Sequence, residues 1–208
     1  MSELALLLQR GLDELGLSPG AEAQEKLLGF VSLLARWAPR MNLTGHEGEE
    51  AILRRLVLDA VALWGVLPRP RSAVDLGSGA GVPGFPIGIL APSLPLLLVE
   101  ARLRRHHFQK AARRELALDN VRLLRGRIES LDPEPAGLVL AQAVATPSQV
   151  LEWMLPWALP GAWLAIPCSP GGQGPDLAGK QLEEARFLPY RVPLGGQERC
   201  VWLGKLEG

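Results

Sequence analysis

The stretch from Arg71 to Glu100, RSAVDLGSGAGVPGFPIGILAPSLPLLLVE, constrains this chain more than any other part of it. A short apolar run, Ala73-Val74, closes on Asp75-Leu76 and is followed by glycines at 77, 79, 81 and 84. An apolar helical pattern then runs from Phe85 to Leu90, and a second apolar run from Leu94 to Val99 stops at Glu100. The order reads as strand, glycine turn, helix, strand, with an acid at the end of the second strand. Glycines are needed where backbone turns at positive φ or lies against a ligand with no Cβ in the way. Amides at the start of the following helix then face that ligand. An acid about 20 residues further on can accept hydrogen bonds from a ribose diol.

Which nucleoside would sit there is a separate question. GAGVPG at 79–84 matches the dinucleotide pattern G-x-G-x-x-G, which alone discriminates poorly. Asp75 precedes the glycines, where it would repel a pyrophosphate. The glycines alternate from 77, one step earlier than a dinucleotide turn requires, and Pro83 and Pro86 remove helix-entry amides that a pyrophosphate would use. An acid followed by G-x-G-x-G suits a cationic ligand with an amino-acid tail, and S-adenosylmethionine is the common one. A glycine-rich turn with no ligand is the alternative, and the spacing of Glu100 argues against it.

Alternating β and α units elsewhere imply an α/β, doubly wound sheet. The 208 residues suit one domain with a helical N-terminal extension, which we divide as 1–66 and 67–208. Helices are expected over residues 3–15, from Ser18-Pro19 to Trp37 with Ala38-Pro39 as the stop, and from Glu49 to Trp64. After Glu100 a helix to Leu118 should turn Leu103, Phe108, Ala111, Ala112 and Leu116 inward. Strands follow at Val121–Leu124, Leu138–Val144 and Ala162–Ile166, with a helix from Thr146-Pro147 to Leu155. A glycine-rich loop over 171–179 precedes a short helix. Phe187–Val192 and Arg199–Leu203 read as a closing antiparallel pair. Asn42 either caps locally or faces the site, and the histidines at 46, 106 and 107 are expected on surfaces.

Charge narrows the function classes. The net charge is zero, which argues against a general nucleic-acid binder, yet between Arg102 and Arg127 eight arginines and Lys110 face only Glu115 and Asp119. Arg102, Arg104, Arg105, Arg113 and Arg114 are candidates for RNA phosphates, with a solvated helix face as the alternative. The two cysteines, Cys168 and Cys200, fit neither a disulfide framework nor metal spacing, so no metal site and a cytoplasmic location are expected. No apolar run reaches the ~20 residues of a membrane span.

DLGSGAGVPGFPIGI, LLLVEARLRRHHF, LALDNVRLLRGRIESL and, upstream, MNLTGHEGEEAILRRLVLDAVAL resemble the glucose-inhibited division protein B family, from about Met41 to Leu203. The resemblance implies a bacterial enzyme that methylates N7 of a guanine in small-subunit (16S) ribosomal RNA. It implies a class I methyltransferase fold, Rossmann-like, with a mostly parallel seven-stranded sheet and S-adenosyl-L-methionine as cofactor. Its partner would be ribosomal RNA or the small ribosomal subunit, with no membrane, and the protein a monomer. Asp75, Gly77, Gly79, Gly81, Val82, Glu100, Ile128, Glu129 and Gln142 would then hold the cofactor, with Ile128-Glu129 beside the adenine. Asn42, Arg104, Arg127 and Arg199 would meet RNA. No catalytic residue is assigned, because guanine N7 offers a lone pair with no proton to remove.

The chain also departs from the family pattern. Leu56 stands where the family has histidine, Ala141-Gln142-Ala143 where it has Ser-Arg-Ala, and Pro167-Cys168 where it has Lys-Gly. Arg199-Cys200 keeps only the arginine of an Arg-His pair. Three readings stay open: an active guanine-N7 methyltransferase, an RNA-associated pseudoenzyme that binds cofactor without transfer, and a relative with a changed acceptor.

Overall fold

A computed structural model describes residues 2–142 and 145–208. Helix α1 (Glu3–Glu14) starts at Ser2, whose side chain accepts from the Ala5 N–H at 3.2 Å, a cap worth about 1 kcal/mol. It buries Leu8 and Leu12 completely. Helix α2 (Ala21–Met41) begins after Gly20, two residues later than the Ser18-Pro19 signal, and Gln24 Nε2 donates back to the Pro19 carbonyl. It also runs through Pro39 instead of stopping before it. A proline in the final turn costs only one intrahelical bond, and Asn42 at φ 49° then ends the helix, its N–H donating to Ala38 O. Asn42 is therefore a helix terminator, exposed at its surface.

The expected helix from Glu49 to Trp64 is built in three pieces: α3 (Glu49–Ile52), a π-helical turn (Leu53–Val57) and α4 (Leu58–Val66). Ile52, Leu53, Val57, Leu58 and Val61 are all fully buried across this segment, and the wider turn shifts the side chains after it relative to those before it.

The sheet has seven strands in the order β3-β2-β1-β4-β5-β7-β6. Strands β1 (Ala73–Leu76), β2 (Leu96–Glu100), β3 (Val121–Arg125), β4 (Ala136–Ala141) and β5 (Ala158–Cys168) are parallel to one another. Strand β7 (Glu198–Leu206) enters antiparallel between β5 and β6 (Leu182–Arg191). Strands β1 and β2 are buried at every residue, as expected of central parallel strands. Of the expected strand Leu138–Val144, the residues 143 and 144 lie outside the described residues.

Helices α5 (Gly84–Leu90) and α6 (Leu103–Glu115) cover one face together with the N-terminal helices. Leu8, Phe30 and Leu58 share a single core with Phe85, Leu98 and Leu138. Helix α7 (Pro147–Met154) and Trp157 cover the other face. Two expectations fail here. Leu103 is 49% exposed, at the first residue of α6 just past the carboxyl end of β2. The short helix after the glycine-rich loop is instead the start of β6, an edge strand carrying the ion pairs Lys205–Glu183 and Arg186–Glu184. Charged side chains of this kind guard an exposed edge.

Candidate functional site

At the carboxyl ends of β1 and β2 the glycine turn is stitched to its neighbours. Gly77, Gly79 and Gly81 take φ of 71°, 58° and 83°. The Ser78 N–H and hydroxyl both donate to Val99 O, at 3.0 and 3.2 Å. The Gly79 N–H donates to Glu100 Oε2 at 2.9 Å, and the Arg102 N–H to Oε1 at 2.6 Å. Glu100, only 4% exposed, thus holds its turn and the entry to α6 at once. A Cβ at Gly81 would sit 2.2 Å from the buried Phe85 ring. At Gly84 a Cβ would sit 2.9 Å from Asp75 Oδ2. Glycine there lets its N–H reach that oxygen at 3.1 Å.

Burial pushes the Asp75 carboxyl up to about 7, with the Glu100 charge adding to the rise and the Gly84 N–H opposing it. Gln109 completes the arrangement from α6. Its Nε2 donates to Ser78 Oγ at 2.8 Å and to Gly79 O at 2.9 Å, while its Oε1 has no partner. Sequence reading missed it, although a polar residue between Phe108 and Ala112 on an inward stripe was the available signal. His106, expected on the surface, is also buried, with Nδ1 unpartnered, and burial lowers its pKa.

The loop after β3 joins the same place. The Gly126 N–H donates to the Glu100 carbonyl at 3.2 Å, bringing the short 3-10 turn Ile128–Ser130 alongside the end of β2. Ile128 there is half-buried and Glu129 exposed. Gln142 follows β4 directly, and with Val82, Pro83 and Tyr190 it borders a small cavity of about 40 Å³. A larger cavity of about 270 Å³ continues past Gln142 to Pro167, Cys168, Tyr190 and Arg199. Tyr190 Oη donates to Asp59 Oδ1 at 3.0 Å, and Arg199 Nε lies 3.5 Å from Asp59 Oδ2. Burial raises the Asp59 pKa against the opposing effects of Tyr190 and Arg199. Burial likewise raises the Cys168 thiol to about 11, helped by the neighbouring Cys200.

Of the residues expected to meet RNA, Arg199 lines this cleft. Asn42, Arg104 and Arg127 are exposed elsewhere and line none of these cavities. Arg113 is committed to the fold, its Nε donating to Val121 O at 2.6 Å. Arg105 instead reaches over the glycine turn, with Nη1 3.7 Å from where a Gly79 Cβ would be. Among the described residues no cluster of His, Cys, Asp or Glu could hold a metal ion.

The strand order, the positive-φ glycine turn and the buried acid beneath it suit an adenosyl cofactor with a cationic centre. Fold and site define a class I S-adenosylmethionine-dependent methyltransferase. Solved structures agree on the fold. The O-methyltransferase TomG from Streptomyces achromogenes, in complex with SAM, superposes over 100% of both chains with TM-score 0.59 at 17% identity. TYW2 from Pyrococcus horikoshii, in complex with MeSAdo, covers 74% of this chain and 63% of its own, with TM-score 0.57 at 14% identity.

Sequence comparison reaches the family. The model for rRNA small subunit methyltransferase G (GidB) matches residues 23–169. Ribosomal RNA small subunit methyltransferase G of Methylobacillus flagellatus is 33% identical, covering 94% of this chain and 96% of its own. That of Chromohalobacter salexigens is 34% identical, covering 90% and 85%. The chain belongs to the rRNA small subunit methyltransferase G family.

Proposed function

We propose that this protein transfers a methyl group from S-adenosylmethionine to N7 of a guanine in small-subunit ribosomal RNA. The observation that carries the reading is the continuity of the cleft. Val82-Pro83, at the end of the glycine turn, borders the small cavity, and Asp59, Gln142 and Tyr190 in its wall also line the larger cavity that reaches Arg199.

In this reading Gly77, Gly79, Gly81 and Val82 form the cofactor cradle, Glu100 holds the ribose, and Ile128-Glu129 flank the adenine. Asp75 and Gln142 face the amino-acid end. When bound, the cofactor supplies an electrophilic methyl and an excellent leaving group. The acceptor nitrogen has no proton to lose, so the chain's own task is alignment and exclusion of water. Asp75 sits beneath the turn as a buried acid, and its ionised form favours a cationic ligand. The setting we propose is the cytoplasm, with the protein acting as a monomer. Among the described residues no helix is long and apolar enough to cross a membrane.

One observation favours slow transfer. Gln142, Pro167 and Cys168 wall the larger cavity where the family pattern has basic or glycine residues. Asp59 and Arg199 are its only charged groups among the described residues. The test is incubation of undermethylated small subunits and of naked ribosomal RNA with labelled cofactor, followed by nucleoside mass spectrometry. Appearance of 7-methylguanosine is the expected result. A different methylated nucleoside would replace the acceptor, and cofactor binding without any product would leave a pseudoenzyme.

A further inference from the structure

Behind the cleft a second pocket of about 180 Å³ lies between the π-helical turn and the turn joining β6 to β7. Arg54, Arg55 and Arg199 line it, against a single acid, Asp59. The three arginines are not equivalent. Arg54 is occupied, with Nε on Glu50 at 2.8 Å and Nη1 donating to Leu194 O at 3.4 Å. Arg55 is exposed and has no carboxylate partner among the described residues. Arg199 stands between the two cavities and lines both. Its Nε is buried without a hydrogen bond, because the 3.5 Å approach to Asp59 is close enough to attract but not to donate.

The walls of the pocket are held in place. The β6–β7 turn carries Leu194 at φ 63° and Gly195 at φ 71°, and a leucine in that region is strained. Two distant groups fasten it: Glu14 accepts from the Leu194 N–H at 2.7 Å, and Arg54 donates to the Leu194 carbonyl. Opposite it, the π-helical turn inserts a residue that resets which side chains face the cleft, a device common at functional sites. The result is a fixed concavity with Arg54 bound to Glu50 and Leu194, Arg199 paired only loosely with Asp59 through Nε, and Arg55 without a carboxylate partner among the described residues.

We propose that this pocket binds a backbone phosphate of the RNA beside the modified nucleotide, with Arg55 and Arg199 as its donors. The proposal rests on the reading of the protein as an RNA methyltransferase and adds where the strand is gripped. Guanidinium groups present parallel N–H donors that match phosphate oxygens in pairs. The pocket also explains how a cleft without charge at 142 and 167 can retain RNA: the positive charge comes from the opposite wall. Tyr190 and Asp59 act as positioning residues, holding Arg199 through the 3.0 Å and 3.5 Å contacts.

The test is binding of a guanine-containing single-stranded oligoribonucleotide to the full-length protein across a salt series, with cofactor affinity measured on the same samples. Arg55→Ala should weaken RNA binding roughly ten- to a hundredfold. It should also flatten the slope of log affinity against log salt by about 0.7, the value for one phosphate on a single strand. Cofactor affinity should not change. Arg55→Lys should keep the slope and lose part of the affinity, a result that a purely structural role would not give. Arg186→Ala, on the exposed β6 edge, should leave affinity and slope unchanged. An unchanged slope in Arg55→Ala, with RNA still bound by the wild type, overturns the phosphate site alone. Failure of the wild type to bind RNA while it binds cofactor overturns the RNA reading and the phosphate site together.

Discussion

The two sides of the cleft are built by different rules. On the side of β1, β2 and α6 the turn is held by neighbours within about 30 residues of chain, with Gln109 Oε1 and His106 Nδ1 left unpartnered. Glu100 holds Gly79 and Arg102, Asp75 holds Gly84, and Gln109 holds Ser78 and Gly79. On the side of β4, β5 and β7 the walls come from residues far apart in sequence. Tyr190 meets Asp59, Arg54 meets Leu194, and Leu194 meets Glu14. The first side is shaped before any ligand arrives. The second leaves Arg55 without a carboxylate partner among the described residues, holds Arg199 only through its 3.5 Å approach to Asp59, and lacks the charges that the family pattern places at 142 and 167. A methyltransferase can change or lose its acceptor on the second side without disturbing the first.

The largest expected effect bears on that asymmetry. If only charge is missing from the acceptor side, the double variant Gln142→Arg with Pro167→Lys should raise methyl transfer to naked RNA by roughly two to four orders of magnitude. Robust turnover by the unmodified protein, in the same single-turnover assay, would show that the missing charges matter little. Cofactor binding by both proteins should be equal within error.

Breaking the other side should be costly to the fold as well. Gly81→Ala forces a Cβ to 2.2 Å from the fully buried Phe85 ring, at a φ of 83°. Strain and overpacking together should destabilise the protein by roughly 2–5 kcal/mol and abolish measurable cofactor binding. Thermal denaturation and calorimetry check both. Glu100→Ala should be milder, about 1.5–3 kcal/mol in cofactor affinity, for loss of a charge-assisted hydrogen bond. Equal affinity in wild type and variant would remove Glu100 from the site.

A pH series separates the two sides further. Asp75 titrates near 7 in the folded protein, against about 4 for an ordinary aspartate. Between those values the folded state holds a proton that the unfolded state has released. This group's contribution to stability therefore falls as pH rises from about 4 to about 7, and is constant above. Asp75→Asn should lose that component of the melting profile. Ionised Asp75 favours a cation, so cofactor affinity should rise from pH 6 to pH 8 with release of a proton. Calorimetry in buffers of different ionisation enthalpy measures that release, and a pH-independent affinity would place Asp75 outside the cofactor's reach.

The smallest effect belongs to the acceptor side again. Tyr190→Phe removes one hydrogen bond to Asp59 and should cost about 0.5–1.5 kcal/mol, read as RNA affinity with cofactor affinity unchanged. A fall in cofactor affinity instead would mean that the two sides are coupled through Asp59.

The sequence by itself determined the sheet's central strands, the glycine turn between them and the family. Those features are local: apolar runs that end in glycines and an acid carry their geometry in spacing of a few residues. It also exposed the departures at Leu56, Gln142 and Pro167, since each falls inside a recognisable motif. Tertiary structure alone decided the rest. Pro39 did not end its helix, because its missing N–H falls in the last turn. The π-helical turn at Leu53–Val57 interrupts what the periodicity reads as one regular helix. Gln109 became part of the glycine turn through α6 packing, and Arg54, Arg55 and Arg199 met around one pocket. Contacts spanning more than half the chain, such as Tyr190 to Asp59, leave no periodicity and no motif, since their positions are fixed only when the sheet and the N-terminal helices share one core.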